Sequence, residues 1–186
     1  FDQRNLAIEA LYLDSEGRPV SPDNGIQKFS GGDLDFSNYS ASAGFTYQFN
    51  TVFSMKTNVS RGFRAPTISE LSSNGRHEGS LRYEYGNPGL KAENSLMINF
   101  SLLFNSPHIS AEISLYNNTI NNYIFIEKLL AADGTDSIPD PDEPAPAYIY
   151  TPGKANLKGG EFSIDLHPHP LDWLHFENAF SLVRGI

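Results

Sequence analysis

At 186 residues the chain has the length of about one domain, and its formal net charge of −9 leaves no basic surplus of the kind that neutralises nucleic-acid phosphate. It has no Cys, which removes disulfide frameworks, Cys-ligated zinc and thiol chemistry, and no apolar run reaches the roughly 18 residues of a membrane helix. The chain opens mid-pattern at Phe1 and closes at Gly185-Ile186 without terminal punctuation, as expected of a fragment of a longer protein.

Residues 4–13 place Leu6, Ile8, Ala10 and Tyr12 on one side of an extended chain, which predicts a strand with one wet face. Residues 14–37 are rich in Gly, Pro, Ser and Asp and predict a long polar loop. From Tyr39 the alternation is strict. Tyr39, Ala41, Ala43, Phe45, Tyr47 and Phe49 oppose Ser40, Ser42, Gly44, Thr46 and Gln48, and after a short turn near Asn50 the pattern resumes through Phe53, Met55, Thr57 and Val59. That is a hairpin. Residues 62–91 form a second long loop, with two Pro and a polar run that cannot bury a core. Leu96 to Phe104 and Ile109 to Leu115 then alternate on either side of a short turn, with the second strand reaching toward Ile126. Residues 127–147 predict a third long loop, Pro-rich and acidic, with no apolar content to fold on. Residues 148–166 return as a strand, a short His-Pro-His-Pro turn follows, and Leu174, Phe176 and Phe180 start a last strand.

The fold class is therefore all-β: an antiparallel up-and-down meander of about seven strands. Its linkers alternate long and short, so every long loop lies at one end and every short turn at the other. Outer-membrane barrels have that asymmetry. Tyr47, Phe49, Phe53, Phe104 and Trp173 fall near the short-turn end, where an interfacial aromatic girdle belongs. Phe45, Phe100, Ile113 and Ile164 are expected on the lipid-side face, with Ser42, Asn99, Ser114 and Ser163 opposite. A soluble β-sandwich shares the alternation, because period 2 groups residues by face without saying which face is wet.

Two segments carry a family resemblance. SRGFRAPTISEL at the end of one strand and GNPGLKAE at the start of the next resemble the paired signature of TonB-dependent outer-membrane receptors, and Gly159-Gly160-Glu161 is similar to a later strand entry of that family. The resemblance implies a transmembrane barrel of about 22 strands, of which residues 1–186 would be a part of the wall, with the plug domain absent. It also implies the TonB complex of the inner membrane as a partner, through that plug, and the outer membrane of a Gram-negative bacterium, with its lipid, as the location. Between the two segments, Ser-Asn-Gly-Arg-His and Tyr83-Glu84 resemble a subgroup that includes zinc receptors, with His77 at the matching His. Glu78 departs from those receptors, which have an apolar residue there.

His77 and Glu78 are candidate metal ligands, an imidazole beside a carboxylate, although a zinc site needs further ligands from elsewhere. Arg61, Arg64, Arg76 and Arg82, with Tyr83 and Tyr85, are candidate ligand-loop residues for an anionic chelate. The alternative is that most of these arginines pair with Glu70, Glu78, Glu84 and Glu93 to shape the loop. Phe63, Pro66, Asn87 and Pro88 are expected to fix the loop to the wall. Asp133, Asp136, Asp140, Asp142 and Glu143 read as a solvated acidic tip, since they lack a calcium-loop spacing. His167, His169 and His175 crowd the short-turn end, where the first two, with Pro168 and Pro170, read as turn punctuation and a periplasm-facing metal site is the alternative.

No catalytic constellation is present, no prosthetic group is implied, and an enzyme is not expected. The expected function is uptake of a scarce nutrient from an extracellular small-molecule or metal ligand: an iron chelate (siderophore) first, zinc or haem next. A soluble glycan-binding module or adhesin is the competing class, and a passive barrel a third.

Overall fold

The computed structural model describes all residues except Phe1, Ser30, Glu78, Glu143, His169 and Asp172. In chain order the strands are β1 (Asp2–Ile8), β2 (Leu11–Leu13), β3 (Pro19–Val20), β4 (Ile26–Phe29), β5 (Gly32–Asn38), β6 (Ala41–Gln48) and β7 (Phe53–Arg64). A short helix α1 (Ile68–Ser72) follows, then β8 (Asn74–His77), β9 (Arg82–Tyr85), β10 (Glu93–Asn105), β11 (Ile109–Lys128), β12 (Ala147–Leu166) and β13 (Phe176–Gly185). The chain forms two compact units: the first holds Phe1–Asn38, Arg64–Glu93 and Asn122–Gly153, the second Tyr39–Phe63, Asn94–Asn121 and Lys154–Ile186.

The second unit is the meander. Its strands lie in the order β6-β7-β10-β11-β12, with β13 beside β12, so neighbours in space are neighbours in sequence. Its hairpins are antiparallel: Phe45 opposes Thr57, Phe100 opposes Leu115, and Phe162 opposes Phe180. Cross-strand partners share a face, and the Phe53–Phe104 ring contact and the Leu115 side chain over Gly160 join the pairs, so one face carries Phe45, Phe100, Ile113 and Ile164, as expected, and the other carries Ser42, Asn99, Ser114 and Ser163. The polar face is tied by Ser101 Oγ to Ser114 Oγ at 2.6 Å, by Ser114 donating to Glu112 at 2.8 Å, and by Asn58 donating to Ser42 at 3.0 Å. The apolar face is open, with Phe45 56% and Phe180 66% exposed. No hydrophobic side chain of this unit is buried among the described residues.

Short turns close the strands as their residues dictate. Asn50 Oδ1 accepts from Val52 and Phe53 backbone N–H at 2.9 Å, an Asx-type turn. The aromatic pairs Tyr47–Phe49 and Phe53–Phe104 lie at ring-centroid distances of 4.9 Å at this end. Gly159 is required by close approach, because a Cβ there would strike the Leu182 carbonyl oxygen and the Tyr116 ring.

The first unit has a core of its own. Phe36, Ala65, Leu71, Leu90 and Ile124 are buried together, with Leu6, Ile8, Leu34, Ala92 and Tyr150 packed against them. β1 and β5 pair antiparallel, Leu6 opposite Leu34, and β2 lies between β3 and β4. These pairings correct three expectations. The predicted strand over 4–13 breaks after Ile8, and only its first part joins β5. The predicted polar loop over 14–37 contains β3, a 3-10 turn Pro22–Asn24, β4 and β5, because Leu34 and Phe36 alternate with Asp33 and Asp35 and give β5 one apolar face. The loop over 62–91 begins as strand through Arg64 and folds into α1, β8 and β9.

The third loop is also ordered at its base. Leu130 bridges to Asp136, Lys128 Nζ lies 2.7 Å from Asp136, and Ala145 and Ala147 are buried despite the segment's polar composition.

Candidate functional site

The segment between β7 and β10 is held by one arginine. Arg64 donates from Nη1 to Glu70 at 2.8 and 3.0 Å, from Nε to Glu93 Oε2 at 2.8 Å, and from Nη2 to Glu93 Oε1 at 2.8 Å. Nε and Nη2 meet the two Glu93 oxygens in the paired, planar geometry of a guanidinium, while Nη1 alone spans both oxygens of Glu70. Each carboxylate also meets backbone. Glu70 accepts from Thr67 N–H at 2.7 Å while Thr67 Oγ1 accepts from Glu70 N–H at 3.3 Å, a capping box that starts α1. Glu93 Oε1 accepts from Ile124 N–H at 2.7 Å, so the clamp reaches β11. Burial alone would raise the Glu70 carboxyl, but the hydrogen bonds from Arg64 and Thr67 outweigh it and hold it below its ordinary range.

The resemblance segments are explained by this packing. Pro66 and Leu71 are fully buried, and Leu90 joins them in the core. Gly86 donates to the Ser73 carbonyl, and a Cβ on it would run into the backbone nitrogens of Ser72 and Ser73, so no other residue fits. Asn87 makes the return turn: its N–H donates to Glu70 O at 2.8 Å, its amide to Tyr150 O at 3.1 Å, and its Oδ1 accepts from Gly89 N–H at 2.9 Å. Pro88 is exposed on that turn and Phe63 is half-buried in β7.

β8 and β9 form a hairpin, with Asn74 opposite Tyr85 and His77 opposite Arg82. β9 then pairs parallel with the start of β12, Tyr83 beside Ala147 and Tyr85 beside Ile149. A buried carboxylate sits here. Glu84, 4% exposed, accepts from Arg82 Nη2 at 3.1 Å and from the Tyr150 hydroxyl at 3.0 Å. Arg82 also donates to Ser80 at 3.1 Å and lies 5.4 Å from the Tyr148 ring. Tyr83 and Tyr85 stack obliquely at 5.0 Å, Tyr83 donates to Asn74 at 3.0 Å, and Lys28 Nζ lies 5.6 Å from the Tyr83 ring.

The four arginines are thus distributed. Arg64 and Arg82 are engaged with carboxylates. Arg61, in the second unit, donates to Asn94 at 3.0 Å and covers the Tyr39 ring at 4.3 Å. Arg76 and His77 are exposed on the β8–β9 hairpin, and His77 Nδ1 lies 3.2 Å from Ser80 Oγ. Glu78 lies outside the described residues, so its pairing with His77 is not seen. In the acidic tip, Asp133 accepts from Thr135 N–H and Oγ1 and Asp140 from Asp142 N–H, carboxylates turned onto their own backbone. Lys28, Tyr148 and Tyr150 went unmarked in the sequence because each reaches the site from a distant segment.

Residues 13–185 match the protein family described as TonB dependent receptor-like, beta-barrel, and the chain belongs to that family. Its members are outer-membrane β-barrel proteins of Gram-negative bacteria. Three solved structures share the fold. The copper transporter OprC is 15% identical with a TM-score of 0.63, over 99% of this chain and 25% of that one. A Serratia marcescens hemophore receptor HasR, solved with its hemophore HasA and heme, is 17% identical with a TM-score of 0.60, over 88% and 27%. The siderophore receptor PirA from Pseudomonas aeruginosa is 20% identical with a TM-score of 0.59, over 83% and 28%. The chain spans about a quarter of the length of these structures.

Proposed function

We propose that these residues are part of the wall and outer loops of a TonB-dependent receptor that takes up a metal chelate across the outer membrane, an anionic iron chelate first among the cargoes. The observation that carries this reading is the second unit's sheet, whose open apolar face suits lipid while its opposite face is lined by Ser, Asn and Glu. In this reading the short turns face the periplasm, and the TonB complex acts through a plug that lies outside these residues.

Arg76, exposed beside the Tyr83–Tyr85 pair and Lys28, supports an anionic and partly aromatic cargo: cationic groups attract the charge and tyrosine faces accept flat rings. A second reading, zinc or haem, rests on exposed His77, whose ring touches only Ser80 among the contacts described. Growth of a deletion strain complemented with the full receptor, on single sources of ferric siderophore, haem or zinc, separates the two. Rescue by siderophore with about a fivefold loss of binding in Arg76→Ala supports the first. Rescue by zinc or haem alone, abolished in His77→Ala, overturns it in favour of the second.

A further inference from the structure

We propose that Asp165, His167 and His175 form a zinc site at the junction of β12 and β13, far along the chain from the cargo loop and independent of what that loop binds. One ligand atom from each residue lies within 4.8 Å of the other two. His175 Nδ1 is 3.1 Å and His167 Nδ1 3.5 Å from Asp165 Oδ2, and the two imidazole rings are 5.5 Å apart at an interplanar angle of 31°.

The strand geometry brings these groups together. Asp165 and His167 are two residues apart at the end of β12 and so project to the same side. The register Leu166 opposite Phe176 places His175 across from them at the entry to β13. His167 is held in place by its backbone N–H, which donates to the His108 carbonyl at 3.0 Å. Its Nδ1 is buried and makes no hydrogen bond among the described residues, which is costly for a polar atom unless something else takes its lone pair.

The chemistry narrows the ion to a divalent transition metal, zinc first. Two imidazoles and one carboxylate, with no thiolate, are the donor set of a zinc ion that keeps a fourth position for water. Bonds of about 2.0–2.2 Å in a tetrahedron set ligand atoms roughly 3.4 Å apart. The two carboxylate contacts already meet that spacing, and the imidazoles need only ring rotation, which His175 has room for at a side-chain exposure of 51%. A cation satisfies all three groups at once and pins the β12–β13 turn.

The test is zinc titration by calorimetry of the full detergent-solubilised receptor, run in parallel on His175→Ala and Asp165→Asn, all in a His77→Ala background so that a loop ion does not contribute. Heat-dependent gel mobility confirms that each variant is a folded barrel, and both substitutions leave the buried core untouched. The expected result is one fewer zinc, or binding at one site at least about tenfold weaker, in both variants. Equal stoichiometry and affinity in the parent and both variants overturns the site, as does the absence of any zinc binding to the parent.

Discussion

The two units solve the problem of apolar surface in opposite ways. The first buries Leu71, Leu90, Ile124, Phe36 and Ala65 against one another and closes the gap between strands with charged and polar clamps. The second places Phe45, Ile98, Leu102, Ile113, Leu115, Phe162, Phe180 and Leu182 in the open and, among the described residues, buries none of its large apolar side chains. In water such a face would be a liability. Under the proposed function a bilayer covers this face, with lipid taking the place of a second layer. The same alphabet of Leu, Ile and Phe therefore stabilises the units through different surroundings, and substitutions separate the two.

The largest effects are expected from opposite substitutions in the two regions. Leu71→Ala leaves a cavity in a closed core and is expected to cost about 2–5 kcal/mol, read as loss of hydrogen-exchange protection over residues 64–93. Ile113→Arg places a charge on the lipid side and is expected to cost about 2–4 kcal/mol in denaturant unfolding of the receptor in liposomes, while Ile113→Ala at this open site costs far less than Leu71→Ala. Equal costs for the two alanine substitutions would erase the distinction between the units.

Next in size is Arg64→Ala, which strands Glu70 and Glu93 beside each other. About 2–3 kcal/mol of local stability is expected to vanish, after allowing for Arg64 being partly exposed, with the loop opening to protease while β10 and β11 keep their protection. Loss of protection through both units alike would show that the clamp holds the wall as well.

A smaller effect follows from pH. The Glu70 carboxyl is depressed in the folded loop, so its contribution is fully present above the ordinary Glu value of 4.5 and is lost as pH falls through its lower folded value. Protease resistance of residues 64–93 is expected to stay level from pH 7 to about pH 5 and to fall below about pH 4. A decline already complete at pH 6 would point to a group other than this carboxylate. The smallest effect is expected from Ser114→Ala, about 1 kcal/mol or less on the polar face, where water can replace the lost hydroxyl.

What could be read from the sequence divides along the same line. The second unit's strands announce themselves because one face is apolar and the other polar, so strict alternation at Phe45 to Phe49 or Leu96 to Phe104 reports their faces directly. The first unit is harder to read. β5 was hidden by Asp33 and Asp35, the acidic half of an amphipathic strand taken for loop composition. Thr67-x-x-Glu70 was a visible capping box, yet the helix it starts is too short for any periodicity. Other features depend on distance in sequence. Glu93, a possible partner of the loop arginines in the sequence, meets Arg64 across 29 residues, but β9 joins β12 in parallel across more than 60, which composition cannot show. Asp165 belongs with His167 and His175 only once the β12–β13 register is known.

The central claim is that one face of the second unit meets lipid and the other an aqueous interior. The chain contributes no Cys of its own, which suits single-cysteine spin labelling of the full receptor in liposomes along residues 111–116. The expected result is a period of two: labels at Ala111, Ile113 and Leu115 accessible to oxygen and shielded from a water-soluble nickel chelate, labels at Glu112, Ser114 and Tyr116 the reverse. Labels on the apolar face shielded from both reagents would mean that a second protein layer covers it, and would contradict the membrane wall.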